Sequence, residues 1–236
     1  MTVLLTRSVE DSDDLANKLR SIGIASFGES MFDIEFKGAD YHNISNDDTV
    51  IFTSKNALRA IDCSDMLDAE CFVVGNATAE AAKQHGFSKI RIANHDANSL
   101  LELISSKKKA SESKLYYFCG EKVSLDLDQI LSTRGYDIKR FCVYKAVPRP
   151  DLSEELKTKI LAKEIKLVLL YSYHTAEIFL QLIKQNKLQE YLHDMNALLI
   201  SNKLKSLNDM NIWLGVELFD VDRQQELIEK IKYHYD

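Results

Sequence analysis

The sequence predicts an α/β protein: two parallel-sheet lobes joined by two extended connectors, with a cleft between them. Three observations predict it. Short runs of β-branched, aliphatic and aromatic residues alternate from end to end with helix-length amphipathic segments, the pattern of crossover connections and parallel sheets. A strand–helix unit near the N-terminus is echoed in the middle of the chain. The only two prolines, Pro148 and Pro150, stand together in "VPRP". Proline lacks an N–H and keeps the preceding residue out of the helical region, so this stretch is an extended connector.

Strands are expected at Val3–Thr6, Ile24–Phe27, Thr49–Phe52, Cys71–Val74, Lys89–Ile92, Lys114–Phe118, Ile138–Lys145, Leu167–Tyr171, Ala197–Ile200 and Ile212–Phe219. Most are separated by segments with apolar residues three or four apart, such as Leu15, Leu19 and Ile22. The stretch "TVIFTSKNALRAI" shows the unit in full. Val50, Ile51 and Phe52 end at Thr53-Ser54-Lys55-Asn56, after which Ala57, Leu58, Ala60 and Ile61 resume at helical spacing.

The echo has a fixed offset. Leu15, Leu19 and Gly23 of "RSVEDSDDLANKLRSIG" fall on Leu127, Leu131 and Gly135 of "CGEKVSLDLDQILSTRG", each 112 positions on. "VIFTSKNALRAI" is matched in turn by "VLLYSYHTAEIF", Val168–Phe179. The order along the chain is therefore one unit, a second unit, the first again and the second again. A counterpart to "VPRP" is "MFDIEFKG", Met31–Gly38. Two connectors imply two crossings: an outer lobe from residues 1–34 and 149–236, and an inner lobe from residues 35–148.

Composition narrows the function. The chain has 236 residues, 45% of them hydrophobic, enough for a substantial core. Net charge is −6, and Lys107-Lys108-Lys109 is the one notable basic run, so no nucleic-acid partner is expected. Apolar runs such as Leu167–Leu170 are far short of the ~20 residues that span a bilayer. The start, Met1 to Arg7, lacks the pattern of a signal peptide, so no membrane partner is expected. Cys63, Cys71, Cys119 and Cys142 form no CxxC pair and no ligand spacing with histidine; reduced thiols in the cytoplasm are expected, with no metal site. The chain has no GxxxxGK[ST], GxGxxG, HExxH or GxSxG, so no cofactor is expected and no nucleophile elbow.

What remains is a set of polar turns where strands give way to helices: Thr6-Arg7-Ser8, Thr53-Ser54-Lys55-Asn56, Gly75-Asn76-Ala77-Thr78, Cys119-Gly120-Glu121-Lys122, Ser172-Tyr173-His174-Thr175 and Ser201-Asn202-Lys203. A helix start offers free N–H groups and the positive end of a dipole. Ser, Thr and Asn there either cap the helix or leave it to bind an anion. At any one turn an ordinary cap is explanation enough; six of them beyond parallel strands suit a ligand carrying carboxylates or phosphates. His174 is the one histidine at such a turn.

These motifs resemble those of the uroporphyrinogen-III synthase family. The resemblance rests on "VLLTR", "VIFTSKNAL", "VVGNATAEAAKQHGF", "LDQILSTRGYDI" followed by "VYKAV", and the Ser172 turn, in the family's order and spacing across nearly the whole chain. It implies two flavodoxin-like lobes, with the first strand–helix unit packed beside the C-terminal half. It implies a cofactor-independent hydro-lyase. Its substrate is hydroxymethylbilane, a linear tetrapyrrole, which loses its terminal hydroxyl as water and cyclises with inversion of ring D on the way to haem.

The substrate is an octacarboxylate and the protein is net negative, so helix N-termini and backbone N–H groups are the expected anion donors. Tyr144, in "VYKAV", matches the family tyrosine proposed to assist loss of the hydroxyl; a strand tyrosine that packs at the lobe junction explains it equally well. The expected binding residues are Arg7, Thr53, Ser54, Lys55, Asn56, Gly75, Thr78, Gly120, Glu121, Ser172, Tyr173, His174 and Ser201, in a monomer.

The chain departs from the family pattern at three turns. Ser8 stands where a proline usually follows the first arginine. "ISNKLKS", Ile200–Ser206, replaces the usual Gly-Pro-x-Thr-Ala. The Cys119 turn lacks the arginine often found before its glycine. Two other readings fit the same chain: a non-catalytic two-lobed protein that captures an anionic small molecule, and a degenerate homologue.

Overall fold

A computed structural model of the protein describes residues 1–7, 9–41, 44–93, 96–110, 114–207, 210–220 and 223–235. Ser8, one of the turn residues singled out above, lies outside them. In chain order the first elements are β1 (Thr2–Leu5), α1 (Val9–Ser21), β2 (Ala25–Gly28) and β3 (Phe32–Phe36). Then come β4 (Thr49–Phe52), α2 (Lys55–Arg59), β5 (Glu70–Val74), α3 (Gly75–Gln84), β6 (Ile90–Ala93) and α4 (Ala97–Lys107). The middle continues with β7 (Leu115–Gly120), α5 (Leu127–Thr133) and β8 (Ile138–Pro148). The last part holds α6 (Glu154–Leu161), β9 (Ile165–Leu170), α7 (Tyr173–Gln185), β10 (Asn196–Leu199), β11 (Gly215–Leu218) and α8 (Gln224–Tyr235).

The chain divides into two compact units, Met1–Asp33 with Pro148–Asp236, and Ile34–Val147. The discontinuous unit holds a five-stranded parallel sheet in the order β11-β10-β9-β1-β2. Numbered by appearance along the chain, that is the flavodoxin-like order 2-1-3-4-5. Val3, Leu4 and Leu5 of β1 and Leu167 to Leu170 of β9 are fully buried. Helices cover both faces of the sheet, so its strands read as unbroken apolar runs rather than alternating ones. Leu4, Val168 and Leu170 point to the side packed by α6 and α7. Val3, Leu5, Leu167 and Leu169 point to the side packed by Leu15 and Leu19 of α1 and Leu227 and Ile231 of α8.

The continuous unit has the strand order β3-β8-β7-β4-β5-β6, with β8, β7, β4, β5 and β6 parallel. In this sheet β7-α5-β8 occupies the place that β1-α1-β2 takes in the other, and β4 to β6 occupy the place of β9 to β11. The two units are thus one ladder cut at different points, which is the physical content of the repeat in the sequence. Phe52, Phe118 and Phe141 stack across β4, β7 and β8 with ring centroids 5.3 and 5.2 Å apart. Ile51, Phe72, Tyr117 and Cys119 face the opposite side, against α4 and α5.

The Met31–Gly38 connector is more than an extended link, since its core, β3, is a hydrogen-bonded neighbour of β8. The Lys37 N–H donates to the Val143 carbonyl at 2.8 Å and the Arg149 N–H to the Met31 carbonyl at 3.1 Å. The contacts run in opposite order along the two strands, so this pair is antiparallel. The expected strand Ile212–Phe219 is shorter than its apolar run: Met210–Ile212 form a 3-10 turn and pairing begins only at Gly215. Trp213, between them, packs on Phe179 at 6.1 Å instead of joining the sheet. Among the described residues no helix is long and apolar enough to cross a membrane.

One polar contact ties the two parts of the discontinuous unit together. Glu29, just past β2 and 5% exposed, accepts hydrogen bonds from the Ser153 N–H at 2.8 Å and from the Ser153 hydroxyl, with Arg149 3.6 Å away. The same hydroxyl caps α6, accepting from the Leu156 N–H at 3.1 Å. Removing a serine cap costs about 1 kcal/mol. Ser153→Ala is therefore expected to lower stability by about that amount or somewhat more, and Glu29→Ala by more, because it leaves the two half-buried Ser153 donors and the Arg149 guanidinium without their acceptor. Urea unfolding of both single variants and the double should show strong non-additivity; additive losses would mean that the three groups do not act as one anchor.

Candidate active site

Ligands of open parallel sheets collect beyond the carboxyl ends of the strands, where the direction of strand addition reverses. In the continuous unit that point lies between β4 and β7. The apolar run of β4 ends at Thr53, whose hydroxyl lies 3.3 Å from the Tyr117 hydroxyl. Ser54 follows in extended conformation and caps α2, its Oγ accepting from the Asn56 N–H at 3.2 Å. Lys55 and Asn56 form the first turn of that helix, which is only five residues long. On the neighbouring strand, β7 ends in buried Gly120. A Cβ there would stand 2.8 Å from Cζ and 3.0 Å from the hydroxyl of Tyr144. Glycine is required because the Tyr144 ring occupies the space.

Tyr144 is thus held on three sides. Gly120 is its register partner across an irregularity between Cys119 and Gly120. The Glu121 N–H donates to its carbonyl at 2.9 Å, and its hydroxyl is hydrogen-bonded to Ser54. Burial raises the pKa of this phenol above its ordinary value, with the Ser54 hydrogen bond opposing the shift. It is therefore protonated, and able to donate, throughout the neutral range. Beneath it, burial pushes the Tyr117 hydroxyl up to about 12, the hydrogen bond to Thr53 working the other way.

The remaining candidates of this unit are less alike than their sequences suggest. Gly75 opens α3 at φ +75°, a left-handed conformation that costs glycine nothing. The preceding Val74 provides no side-chain cap, so this helix start is the least occupied of those expected to bind anions. Thr78 is in the first turn but is buried, so what it can offer outward is backbone geometry, not its hydroxyl. Glu121 pairs its carboxylate with Lys37. Its side chain cannot donate to an anion, and its N–H is already taken by Tyr144.

In the discontinuous unit the reversal lies between β1 and β9. Arg7 follows β1 and lays its guanidinium 3.9 Å over the ring of Tyr171, the residue after β9. Burial pushes the Tyr171 hydroxyl up to about 12, opposed by the Arg7 charge. Ser172 caps α7, accepting from the Thr175 N–H at 3.0 Å, with its Oγ 2.8 Å from the Thr175 hydroxyl. Tyr173 is exposed, with Lys203 Nζ 5.5 Å from its ring centre. His174 packs on Phe32 at 4.9 Å and meets Glu177 at 3.2 Å. Beyond β10, Ser201 accepts from the Lys203 N–H at 3.3 Å. The "ISNKLKS" turn therefore keeps a hydroxyl cap, although its residues differ from the family pattern.

Each sheet thus gathers its own turns along its carboxyl edge. Thr53, Ser54, Lys55, Asn56, Gly75, Gly120, Glu121 and Tyr144 lie along one, and Arg7, Ser172, Tyr173, His174 and Ser201 along the other. Reading the sequence missed Lys37, Tyr117 and Arg140. Arg140 donates to Cys119 Sγ at 3.2 Å and to the Glu121 carbonyl at 3.4 Å, and so fixes the turn after β7. Their signal lies in pairings between distant segments. Among the described residues no cluster of His, Cys, Asp or Glu is placed to hold a metal ion.

The Gly120–Tyr144 contact makes a prediction. Gly120→Ala should displace the Tyr144 ring or push β7 and β8 apart, with an overpacking cost of about 1–3 kcal/mol. Thermal unfolding and a crystal structure of the variant would check it. An unshifted ring with unchanged stability would show that the close approach does not exist.

Residues 13–206 match the family described as uroporphyrinogen-III synthase HemD. No curated relative matches the chain by sequence. The fold is similar to that of the uroporphyrinogen-III synthetase of Helicobacter pylori, with TM-score 0.62 and 16% identity over 98% of this chain and 99% of that one. It is also similar to a mutant uroporphyrinogen III synthase of the extreme thermophile Thermus thermophilus, with TM-score 0.54 and 15% identity over 100% of this chain and 98% of that one. At such identities the structures show the fold, while the matched span, from within α1 to the turn after β10, shows the family: the chain belongs to the uroporphyrinogen-III synthases, the cyclising lyases of haem biosynthesis.

Proposed function

We propose that this chain carries out its family's reaction as a cytoplasmic monomer, closing hydroxymethylbilane to uroporphyrinogen III. The observation that carries the reading is the family match over residues 13–206, which takes in Tyr144 and every candidate binding residue but Arg7. The turns along the two carboxyl edges hold the acetate and propionate side chains, chiefly through backbone N–H groups at the starts of α3 and α7 and through the Ser54, Ser172 and Ser201 turns. Arg7 adds a charge whose position is set by Tyr171.

The neutral Tyr144 hydroxyl donates its hydrogen to the departing hydroxyl of the bilane. The C–O bond breaks with the push of the adjacent pyrrole's electron pair, water leaves, and the pyrrole N–H proton goes back to the Tyr144 phenolate, which leaves the neutral azafulvene. Ring D then attacks this electrophile, and the rearrangement through a spiro intermediate inverts it. Holding the flexible bilane so that ring D meets the azafulvene is the larger part of the task, because a well-placed intramolecular partner outcompetes solvent by orders of magnitude.

Two measurements test this. Purified chain supplied with hydroxymethylbilane should yield type III uroporphyrin after oxidation, in excess over the type I isomer of the uncatalysed closure; an isomer mixture equal to the enzyme-free control would refute the reading. Tyr144→Phe should stay folded and form type III product more slowly, by about 10²-fold, the low end for general acids because a phenol is a poor pKa match near neutrality. Undiminished turnover in that variant would confine Tyr144 to packing.

A further inference from the structure

Lys37 and Glu121 are brought to either side of Tyr144 from positions 84 residues apart. The backbone of each is fixed. The Lys37 N–H donates to the Val143 carbonyl at 2.8 Å and the Glu121 N–H to the Tyr144 carbonyl at 2.9 Å. Their side chains are not fixed in the same way: they pair with one another in the open, 36% and 54% exposed. We propose that Lys37 is a carboxylate-binding residue of the active site, occupied by Glu121 in the free protein and handed over to a carboxylate of the substrate. The proposal rests on the reading given under Proposed function and extends it to residues outside the strand-end turns.

The chemistry of the site favours this exchange. An unpaired carboxylate beside a site for a polycarboxylate repels its ligand; paired with Lys37, Glu121 does not. The pairing holds the Lys37 ammonium above its ordinary pKa and the Glu121 carboxyl below its own, so both are charged at neutral pH. Lys145 and Lys122 add to the positive field at Glu121. Lys145 is paired with Glu35 at 2.8 Å, while Lys122 forms no ion pair among the described residues. The patch therefore sets three ammonium groups, Lys37, Lys122 and Lys145, against two carboxylates, Glu35 and Glu121.

On the far side of the turn, Arg140 is taken up by Asp126 at 3.3 Å and Asp128 at 3.6 Å. An exposed ion pair is held weakly because water and salt compete for both partners. A substrate carboxylate replaces Glu121 like for like, and Glu121 turns to solvent.

The exchange makes the two partners act with opposite signs. In the full-length protein, Lys37→Gln should weaken binding of uroporphyrin III, followed by its own fluorescence, about three- to fivefold, the range for an exposed charge contact. KM should rise to match, with kcat changed less than about twofold, the mark of a contact made equally to ground and transition states. Glu121→Gln should tighten binding and lower KM, since the competing carboxylate is gone, and the double variant should resemble Lys37→Gln.

If the pair were only a brace, both single variants would lose affinity and thermal stability together. That outcome, or undiminished affinity in Lys37→Gln, overturns the proposal. A wild-type chain that makes type III product while Lys37→Gln is unaffected leaves the function standing and removes this inference alone. A wild-type chain that neither turns over nor binds removes both.

Discussion

The structure depends most on the position of β1. This four-residue strand lies between β2 and β9, and its register places Val3 beside Leu167 and Leu4 beside Val168. An interior strand buried on both faces cannot be left out without exposing two cores at once. Three strands of its sheet come from residue 165 onward, so that sheet is complete only once both ends of the chain are present. Such non-local pairing is slow to form, because the loop-closure entropy is lost before the contacts it permits are gained. The Glu29–Ser153–Arg149 anchor stands where the chain leaves and re-enters this unit. The same pairing sets Arg7 beside Tyr171, so the constraint that builds the sheet also positions Arg7 on that sheet's own carboxyl edge.

Charge explains why the proposed binding edges look as they do. The net charge of −6 offers the proposed octacarboxylate substrate no long-range attraction, and a dense cluster of arginines would slow the release of a product that carries the same carboxylates. Backbone N–H groups at strand ends avoid both difficulties, since they bind anions without carrying a net charge. They also come with the fold: a parallel sheet with crossover helices aims every helix start at one edge. The start of α3, left uncapped by Val74, is open for this role, whereas Ser54, Ser172 and Ser201 commit their hydroxyls to local caps.

How much of this could be read from the sequence depended on distance along the chain. "TVIFTSKNALRAI" shows its strand, cap and helix directly, because β-propensity, an N-cap serine and helical periodicity are all local; β4, Ser54 and α2 follow it closely. The repeat of Leu15, Leu19 and Gly23 at Leu127, Leu131 and Gly135 made the shared ladder legible, since the same packing selects the same residues twice. Contacts between distant segments left no such mark. Nothing around Gly120 announces that Tyr144 fills its missing side chain, and nothing in "EFKG" shows that Lys37 meets Glu121. Thr78 looks like an exposed turn residue but is buried, because α3 begins at Gly75 itself and carries it into the core face. At Ile212–Phe219 only Trp213 and Phe219 are buried, Leu214 is exposed, and only the second half of the run is strand.

In this mechanism product identity follows from the shape in which the bilane is held, and the Tyr144 proton governs only speed. The most direct test is the isomer composition formed by Tyr144→Phe in a single turnover, with enzyme in excess so that no free bilane closes in solution. Type III product is expected, formed slowly but in the same proportion as with the unaltered chain. A shift toward type I under those conditions would contradict the mechanism, because it would show that the tyrosine directs ring D as well as the leaving water.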